Sequence, residues 1–406
     1  MERTRFVIPI LLVLGDAVLL AACSASSSGI APLGATPVSQ LWLMKDERHT
    51  ADQQYAYVSD WLTGNVDAYT VDTKSGALKS LGLTVTTSGE GTQPVTMDPT
   101  GKFAYVANYG SNNVYAYTID AASGALTPVA GSPFAAGSAP DGATTDPKGK
   151  FVYVANYGSD NVSAFAINAS SGALTAVAGS PFTVSGNALW VGIDPKGKFA
   201  YVPYYNASGP GEVAAFRIGT NGALTPVAGS PFVAGTAPNW MTVDPNDKFV
   251  YVTNYSSNDI SAYAIDAKTG ALKPVKKSPF KAGANPYSTI VDPIGKFLFE
   301  ANLGSFNVSA YTIDAVSGAL KPVKGSPFAT GINPESIAVD STGSFVYVAN
   351  YGTGYFSPGN VFAYRIDQTS GALTLVKGSP FARAVAHSGV ATCKRVGSTC
   401  QPPLPL

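Results

Sequence analysis

Apolar and polar residues alternate along most of this chain in short runs that return at a constant spacing. The run FVYVTN, from Phe249 to Asn254, is rich in β-branched and aromatic residues, and ISAYAID follows it after the loop YSSND. Such period-two runs, separated by Gly, Asn and Asp, predict β-strands joined by tight turns. No stretch after the N-terminal region keeps a helical period, so the pattern indicates an all-β fold.

One block of sequence recurs seven times. Its anchors are spaced by 48, 48, 48, 50, 48 and 48 residues, at Tyr57, Tyr105, Tyr153, Tyr201, Tyr251, Phe299 and Tyr347. A period of about 40 to 50 residues over a whole chain is typical of propeller blades. Each unit is predicted to hold four strands, which in one copy are Met241 to Pro245, Phe249 to Asn254, Ile260 to Asp266 and Ala271 to Val275. Proline recurs in the fourth strand and places it at the outer edge of the blade, because proline removes a ladder donor.

A first strand precedes every anchor except Tyr57. The missing copy lies at the C-terminus, where SPFARAVAHSGVATC aligns column by column with SPFATGINPESIAVD. Ser388 to Cys393 is therefore expected to be the innermost strand of the blade whose other strands start near Gln54. The prediction is a closed seven-bladed β-propeller over residues 51–393, with four antiparallel strands per blade and a tail at 394–406.

The N-terminal segment reads as a targeting signal. Arg3 and Arg5 precede an apolar run that ends in Leu-Ala-Ala-Cys at Cys23, which resembles a bacterial lipobox. This predicts a signal peptide at residues 1–22, a lipid anchor on Cys23 and a flexible tether at 23–50. The protein would then be exported across the inner membrane and held by lipid in the periplasm, the outer membrane or at the cell surface. The alternative is an ordinary signal peptide in which Cys23 is incidental.

Composition narrows the possible partners. Hydrophobic residues make up 45% of the chain, and its 26 basic and 26 acidic side chains cancel. Without an excess positive field, no nucleic-acid partner is expected. Two His and three Cys leave little material for a metal site, so neither a metal nor a cofactor is predicted. We expect a monomer.

Two of the cysteines, Cys393 and Cys400, follow the last predicted strand. In a protein outside the cytoplasm they are expected to form a disulfide, which for so short a loop contributes about 2 to 3 kcal/mol. Two free thiols are the alternative.

The predicted loops fall on two faces of the propeller. The DPxGK and DAxSGAL turns share one face and are tight hairpins, in which Asp bonds its own turn and is not expected to bind calcium. The NYGSNN loops and the GSPFxxGxxP connections share the other face, which is the better candidate for recognition. Its repeated Asn and Tyr side chains suit a sugar or a peptide, although the Asn of any one copy is expected to tie its own loop in place.

Positions that differ between copies indicate a ligand more strongly than the repeated ones. After the loop proline, towards the channel mouth, the candidate site residues are Asp141, Asn239, Trp240, Tyr287 and Glu335, with Trp190 in a similar place. Glu212 lies in the most unusual loop and His387 at the same rim. Glu300 replaces a strand valine, which means either a buried carboxyl with a partner or a special site.

The motif YVTN at Tyr251 to Asn254 and the pattern DPxGKFxYVANYGSxNVSAY resemble the YVTN-type, lactonase-like propellers, a group that includes 6-phosphogluconolactonase. The resemblance covers residues from about 50 to 393 and implies the seven-bladed fold. It also implies a Pro-His dipeptide in an inner strand, but the matching residues after proline are Asp141, Asn239, Tyr287 and Glu335. Asp160 fits the family's acidic place, whereas Asn161 stands where a cation is expected.

Hydrolysis of a lactone needs a base that activates water and a donor for the oxyanion. Asp141, Glu335 and His387 are the candidate bases, and Asn239 and Tyr287 are candidate donors. A phosphorylated substrate also needs cations, for which this face offers mainly Lys277, Lys281 and Arg383.

The sequence favours a non-catalytic binding module that presents its Asn/Tyr/Trp face to a glycan, a peptide or a partner protein. Asn239, Trp240, Tyr287, Trp190 and Glu212 are the predicted ligand-binding residues. The second hypothesis is a lactonase-type hydrolase of carboxylic esters, acting on an unphosphorylated lactone. A purely architectural protein of the cell envelope is the third.

Overall fold

The computed structural model describes residues 53–87, 91–206, 209–353, 358–384 and 386–403. These residues belong to one compact unit, His49–Leu406, and form strands and turns without an α-helix. Within them, no helix has the length and apolar character that crossing a membrane requires. The predicted signal peptide at 1–22, the tether at 23–50 and the lipid site at Cys23 lie outside the described residues.

The strands form seven antiparallel sheets, one for each repeat. The chain begins blade 1 with β1 (Gln54–Asp60), β2 (Asn65–Val71) and β3 (Leu78–Thr86). Blade 2 holds β4 (Thr92–Met97), β5 (Phe103–Asn108), β6 (Asn113–Ile119), β7 (Leu126–Pro128) and β8 (Phe134–Ala135). Blade 3 holds β9 (Pro140–Thr145), β10 (Phe151–Asn156), β11 (Asn161–Ile167), β12 (Leu174–Ala176) and β13 (Phe182–Thr183). Blade 4 holds β14 (Asn187–Ala188), β15 (Gly192–Ile193), β16 (Phe199–Tyr205), β17 (Glu212–Ile218), β18 (Leu224–Pro226) and β19 (Phe232–Val233).

The other blades repeat this order. Blade 5 holds β20 (Pro238–Val243), β21 (Phe249–Asn254), β22 (Asp259–Ile265), β23 (Leu272–Pro274) and β24 (Phe280–Lys281). Blade 6 holds β25 (Pro286–Val291), β26 (Phe297–Asn302), β27 (Asn307–Ile313), β28 (Leu320–Pro322) and β29 (Phe328–Ala329). Blade 7 holds β30 (Pro334–Val339), β31 (Phe345–Asn350), β32 (Gly359–Ile366), β33 (Leu373–Leu375) and β34 (Phe381–Ala384). The chain ends with β35 (His387–Val396) and β36 (Thr399–Gln401).

The C-terminal strand closes the ring, as the sequence predicted. Strand β35 pairs antiparallel with β1, from Gln54 opposite Lys394 to Asp60 opposite His387, and it is the inner strand of blade 1. The first and the last described strands therefore share one sheet, which closes the ring of blades. The seven-bladed propeller is confirmed.

The fourth strand differs from the prediction, because the GSPF segment is not only a connection. In blade 2 it breaks into β7 and β8, and both pieces pair with β6. Between them the Ala116 N–H donates to Ser132 Oγ at 2.9 Å, so the serine hydroxyl takes the place of a backbone acceptor. The same Ser bond recurs in blades 3 to 7.

The apolar core lies between neighbouring blades, and one repeated hydrogen bond joins six of the seven pairs in the part of the chain that the structure describes. The Tyr105 hydroxyl of blade 2 donates to the Gly172 carbonyl of blade 3 at 3.2 Å. Gly172 has φ +77, and a Cβ added to it would lie 2.4 Å from the Phe103 ring. Glycine is required there by both the backbone angle and the ring above it. Six anchor tyrosines among the described residues make this bond, whereas blade 6 carries Phe299 and has no hydroxyl to donate.

We call the side with the DPxGK and DAxSGAL turns the lower face. Asp146 shows how its turns are held: its Oδ1 accepts the N–H groups of Lys150 and Phe151 at 2.6 and 2.7 Å. In the other turn, Asp72 accepts from Lys74 and Ser75. These carboxylates are used by their own turns. The opposite side, which carries the NYGSNN loops, is the upper face.

Candidate functional site

A ring of residues that differ from blade to blade surrounds the upper end of the channel. In six blades the inner strand is interrupted there by a bulge, directly after the residue that pairs with the last residue of the second strand. In blade 4 the inner strand is instead divided into β14 and β15 at the same level. A bulge directs a side chain away from the regular ladder. We call this ring the collar; its members are Ser388, Gln93, Asp141, Leu189, Asn239, Tyr287 and Glu335 for blades 1 to 7.

Most of the collar is packed into the protein. Gln93 Nε2 donates to Asp141 Oδ1 at 2.5 Å between blades 2 and 3, and Asn239 Nδ2 donates to the Tyr287 carbonyl at 3.0 Å between blades 5 and 6. Asp141 and Asn239 are only 8% and 6% exposed. Tyr287 and Glu335 are half-buried, so the collar is open to solvent mainly at blades 6 and 7.

Directly below the collar, two indole rings form one wall of the channel. Trp190 of blade 4 and Trp240 of blade 5 stack with their centroids 3.6 Å apart and their planes at 19°. Trp190 also covers the backbone of Gly142, where an added Cβ would lie 2.3 Å from the ring. At the same level, blades 6 and 7 carry the small residues Ser288 and Ser336. The channel is thus lined by aromatic rings on one side and by small side chains on the other.

The inner strands enclose a cavity of about 80 Å³. Its described lining contains both tryptophans, several Thr and aliphatic residues and Pro403, and none of these residues is charged. A space of this size holds a handful of water molecules or one small group of a ligand. A larger ligand would have to bind mainly on the upper face above it.

Aromatic side chains also surround the collar on the upper face. We call the residues at the upper end of the second strand of each blade the crown: Trp61, Tyr109, Tyr157, Tyr205, Tyr255, Leu303 and Tyr351. All of them except Leu303 are aromatic. Trp61 and Tyr109 have ring centroids 5.4 Å apart, and Tyr109 and Tyr157 are 6.2 Å apart. Tyr255 meets the collar residue Tyr287 edge to face at 6.4 Å. The crown tyrosines are half-buried and offer amphipathic surface to a partner.

The repeated asparagines do not belong to this surface. Asn156 is fully buried; its Oδ1 accepts from the Gly137 N–H at 3.1 Å, and its Nδ2 donates to Asn161 Oδ1 at 2.8 Å. It therefore ties the connection from blade 2 to the hairpin of blade 3. Asn254 and Asn302 make the same contacts in blades 5 and 6. The side chains available on the upper face are consequently the crown tyrosines rather than these asparagines.

Blade 4 replaces this amide pair by a phenol and a carboxylate. Tyr204 stands in the Asn position and its hydroxyl donates to Glu212 Oε2 at 2.5 Å. Burial, and to a smaller extent this hydrogen bond, raises the pKa of Tyr204 above its ordinary value, so the phenol stays protonated. Glu212 is half-buried, and its contact with Tyr204 holds its loop in place.

The three candidate bases come from blades 1, 3 and 7. His387 is fully buried and lies opposite Asp60 in the ladder between β35 and β1. In the alignment of the repeats it occupies the position of the loop prolines, one residue before the collar. Glu335 lies on the adjacent inner strand, in blade 7, whereas Asp141 is separated from it by blades 1 and 2. The structure therefore brings Glu335 and His387 to neighbouring strands and leaves Asp141 with Gln93.

Glu300 is a buried carboxyl away from the collar. It is fully buried in β26, and burial raises its pKa to about 8. Tyr311 donates to its Oε2 at 3.4 Å, and its Oε1 has no hydrogen-bond partner among the described residues. Among all the residues that the structure describes, no group of three or more His, Cys, Asp or Glu is placed to hold a metal.

The chain matches the family model described as Lactonase, 7-bladed beta-propeller, over residues 47–183, 178–350 and 289–389. It therefore belongs to this lactonase family of seven-bladed propellers. A search of curated protein sequences gave no match.

Solved structures share the architecture at low identity. A protein of Bacteroides fragilis, named provisionally as a 6-phosphogluconolactonase, is 20% identical with a TM-score of 0.71, over 84% of this chain and 98% of that one. The periplasmic gluconolactonase of Pseudomonas aeruginosa is 18% identical with a TM-score of 0.70, over 84% and 99%. At these identities the likeness shows the fold alone.

Proposed function

We propose that this propeller binds an uncharged glycan on its upper face. The observation that carries the proposal is the mouth itself, where the stacked Trp190 and Trp240 line a cavity whose described residues carry no charge. Sugar rings have apolar C–H faces that pack on aromatic rings and hydroxyls that need polar partners. Tyr287 and Glu335 of the collar supply such partners where the collar is open.

A phosphorylated ligand fits this mouth poorly. The collar contains two carboxylates, Asp141 and Glu335, and no Lys or Arg. Phosphate recognition depends on charge-assisted bonds from Arg or Lys, and acidic neighbours oppose it. The ligand is therefore neutral.

Hydrolysis of an unphosphorylated lactone is the second candidate function. Family membership favours it, and so does the origin of Glu335 and His387 on the neighbouring inner strands β30 and β35. In that reaction Glu335 would take a proton from water and the Tyr287 hydroxyl would donate to the developing oxyanion. Asn239 is less suited as a donor, because its amide is already bound to a carbonyl.

We also propose that the protein acts outside the cytoplasm as a lipid-anchored monomer. The lipobox-like sequence that ends at Cys23 supports this location, and a disulfide between Cys393 and Cys400 is suited to an oxidising compartment. In this proposal the membrane is contacted through the lipid alone, and no nucleic acid is bound.

The test is a panel of neutral glycans, short peptides and lactones with and without phosphate, applied to the full chain. Glycan affinity is measured by calorimetry and lactone turnover by acid release. We expect glycan binding that Trp240→Ala weakens about tenfold or more, while Lys148→Ala on the lower face leaves it unchanged. Peptide binding without glycan binding would overturn the ligand class.

The same panel decides between binding and catalysis. Turnover of an unphosphorylated lactone that is lost in Glu335→Gln would establish the hydrolase and displace the binding module. Turnover of phosphorylated lactones would contradict both candidates, since each depends on a mouth without cations.

A further inference from the structure

The described residues after β35 fold back under the channel. After β35, the short strand β36 pairs with it, with Arg395 opposite Cys400 and Val396 opposite Thr399. A disulfide joins Cys393 and Cys400, whose Cα atoms are 5.4 Å apart. Pro402 and Pro403, which follow β36, are both buried. We call residues 393–403 the tail hairpin.

The tail hairpin packs closely against a turn of blade 2. The Cys400 N–H donates to the Gly101 carbonyl at 2.8 Å. A Cβ added to Gly101 would lie 2.3 Å from the backbone of Cys400, so no other residue fits there without a shift. The corresponding Gly149 of blade 3 has no atom closer than 3.4 Å. Among the glycines that the structure describes in these turns, Gly101 alone is approached by backbone atoms within 3 Å.

The tail reaches the cavity itself. Pro403 lines it together with residues from the lower ends of four inner strands, Met97, Val243, Val339 and Thr392. Ring closure does not explain this position, since β35 completes its ladder with β1 at Lys394. Residues 397–403 therefore have a structural role other than ring closure.

We propose that the tail hairpin is the floor of the central cavity, and that it turns an open channel into a pocket with a single mouth on the upper face. Pro403 then sets the depth of the pocket, and the disulfide holds the floor in place. The floor also limits how far a ligand group can enter below Trp190 and Trp240, and this consequence rests on the proposed function. The presence of the floor does not depend on that function.

The experiment uses the two stacked indoles as reporters and needs no ligand. In the full chain, Trp42 and Trp61 are replaced by Phe, which leaves Trp190 and Trp240, and quenching by acrylamide is measured. Removal of residues 402–406 opens the lower end and is expected to raise the quenching constant about twofold, because the quencher gains a second route. Removal of 404–406 alone keeps Pro403 and is the matched control, with quenching unchanged.

A second variant guards against misfolding of the truncated chain. Pro403→Gly keeps the length and the disulfide, and it is expected to raise quenching by a smaller factor with an unchanged melting temperature. Equal quenching in the intact chain, the 402–406 deletion and Pro403→Gly would overturn the proposal. Because glycan or lactone binding plays no part in this readout, its result stands whether or not the proposed function holds.

Discussion

Glu300 shows how one different residue in a repeated sequence changes the energetics of a single interface between neighbouring blades. We call each such interface a seam. The corresponding positions carry valine in blades 2 and 5, at Val106 and Val252, and both are fully buried between blades. Glu300 occupies the same kind of site but brings a carboxyl with one oxygen that lacks a partner among the described residues. Burial of a charge without compensation is costly, so the group stays protonated at neutral pH.

The first prediction concerns pH and stability. The folded protein keeps the Glu300 proton up to about pH 8, whereas the unfolded chain releases it near the ordinary pKa of 4.5. Between these values the folded state binds more protons, so the free energy of unfolding falls as pH rises, by about 4 kcal/mol at most over the window. Glu300→Val should therefore raise the melting temperature, and more at pH 8 than at pH 5.

Glu300→Gln is the matched control, since it removes the ionisation and keeps the size. Both variants should flatten the dependence of the melting temperature on pH between about 5 and 8. A difference from the wild type that stays constant across this range would show that Glu300 does not titrate there.

At the scale of elements, each blade depends on a glycine that an aromatic ring of the preceding blade touches. Gly172 combines a φ of +77 with a Phe103 ring 2.4 Å from the place of a Cβ. Gly82 in β3 has a φ of +66 but nothing within 4 Å of that place. The two positions share the backbone requirement and differ in the contact, so their comparison separates the two effects.

The second prediction uses this pair. Gly82→Ala should cost about 1 kcal/mol, the cost of a left-handed backbone with a side chain. Gly172→Ala should cost about 2 to 4 kcal/mol, because the methyl group also displaces Phe103. Thermal melts of both variants measure the difference, and an equal loss in the two would mean that the seam accommodates the methyl group freely.

The elements also show what the sequence can predict. Strand β21 has the predicted bounds, Phe249 to Asn254, because its period-two pattern and its flanking turns are local signals. For the second half of the fourth strand, such as Phe134–Ala135, the sequence predicts only a connection, because the pairing depends on Ser132 filling a gap in the ladder. Local pattern determines the strands, and contacts between them determine where they break.

The candidate site follows the same division. The collar positions of Asp141, Tyr287 and Glu335 were predictable, because they break an otherwise regular repeat. Their burial was not, since the contact of Asp141 with Gln93 joins two blades. The stack of Trp190 on Trp240 joins residues 50 positions apart and likewise arises only when the ring is closed.

At the scale of the whole molecule, the ring has seven seams and six of the tyrosine locks. In blade 5 the Tyr251 hydroxyl donates to the Gly318 carbonyl of blade 6 at 3.0 Å. In blade 6 Phe299 is fully buried at the same position, and Gly371 of blade 7 packs against Phe297 as its counterparts do elsewhere. The seam between blades 6 and 7 thus keeps the packing and lacks only the hydrogen bond.

The third prediction is that this seam accepts the missing lock. Phe299→Tyr should place a hydroxyl at the Gly371 carbonyl and raise the free energy of unfolding by about 1 kcal/mol, while Tyr251→Phe should lower it by a similar amount. The two changes lie in different seams, so the double variant should return close to the wild type in urea denaturation. If Phe299→Tyr destabilises the protein instead, the new hydroxyl is buried without an acceptor. The packing around residue 299, and not only the absence of a hydroxyl, would then prevent the hydrogen bond in this seam.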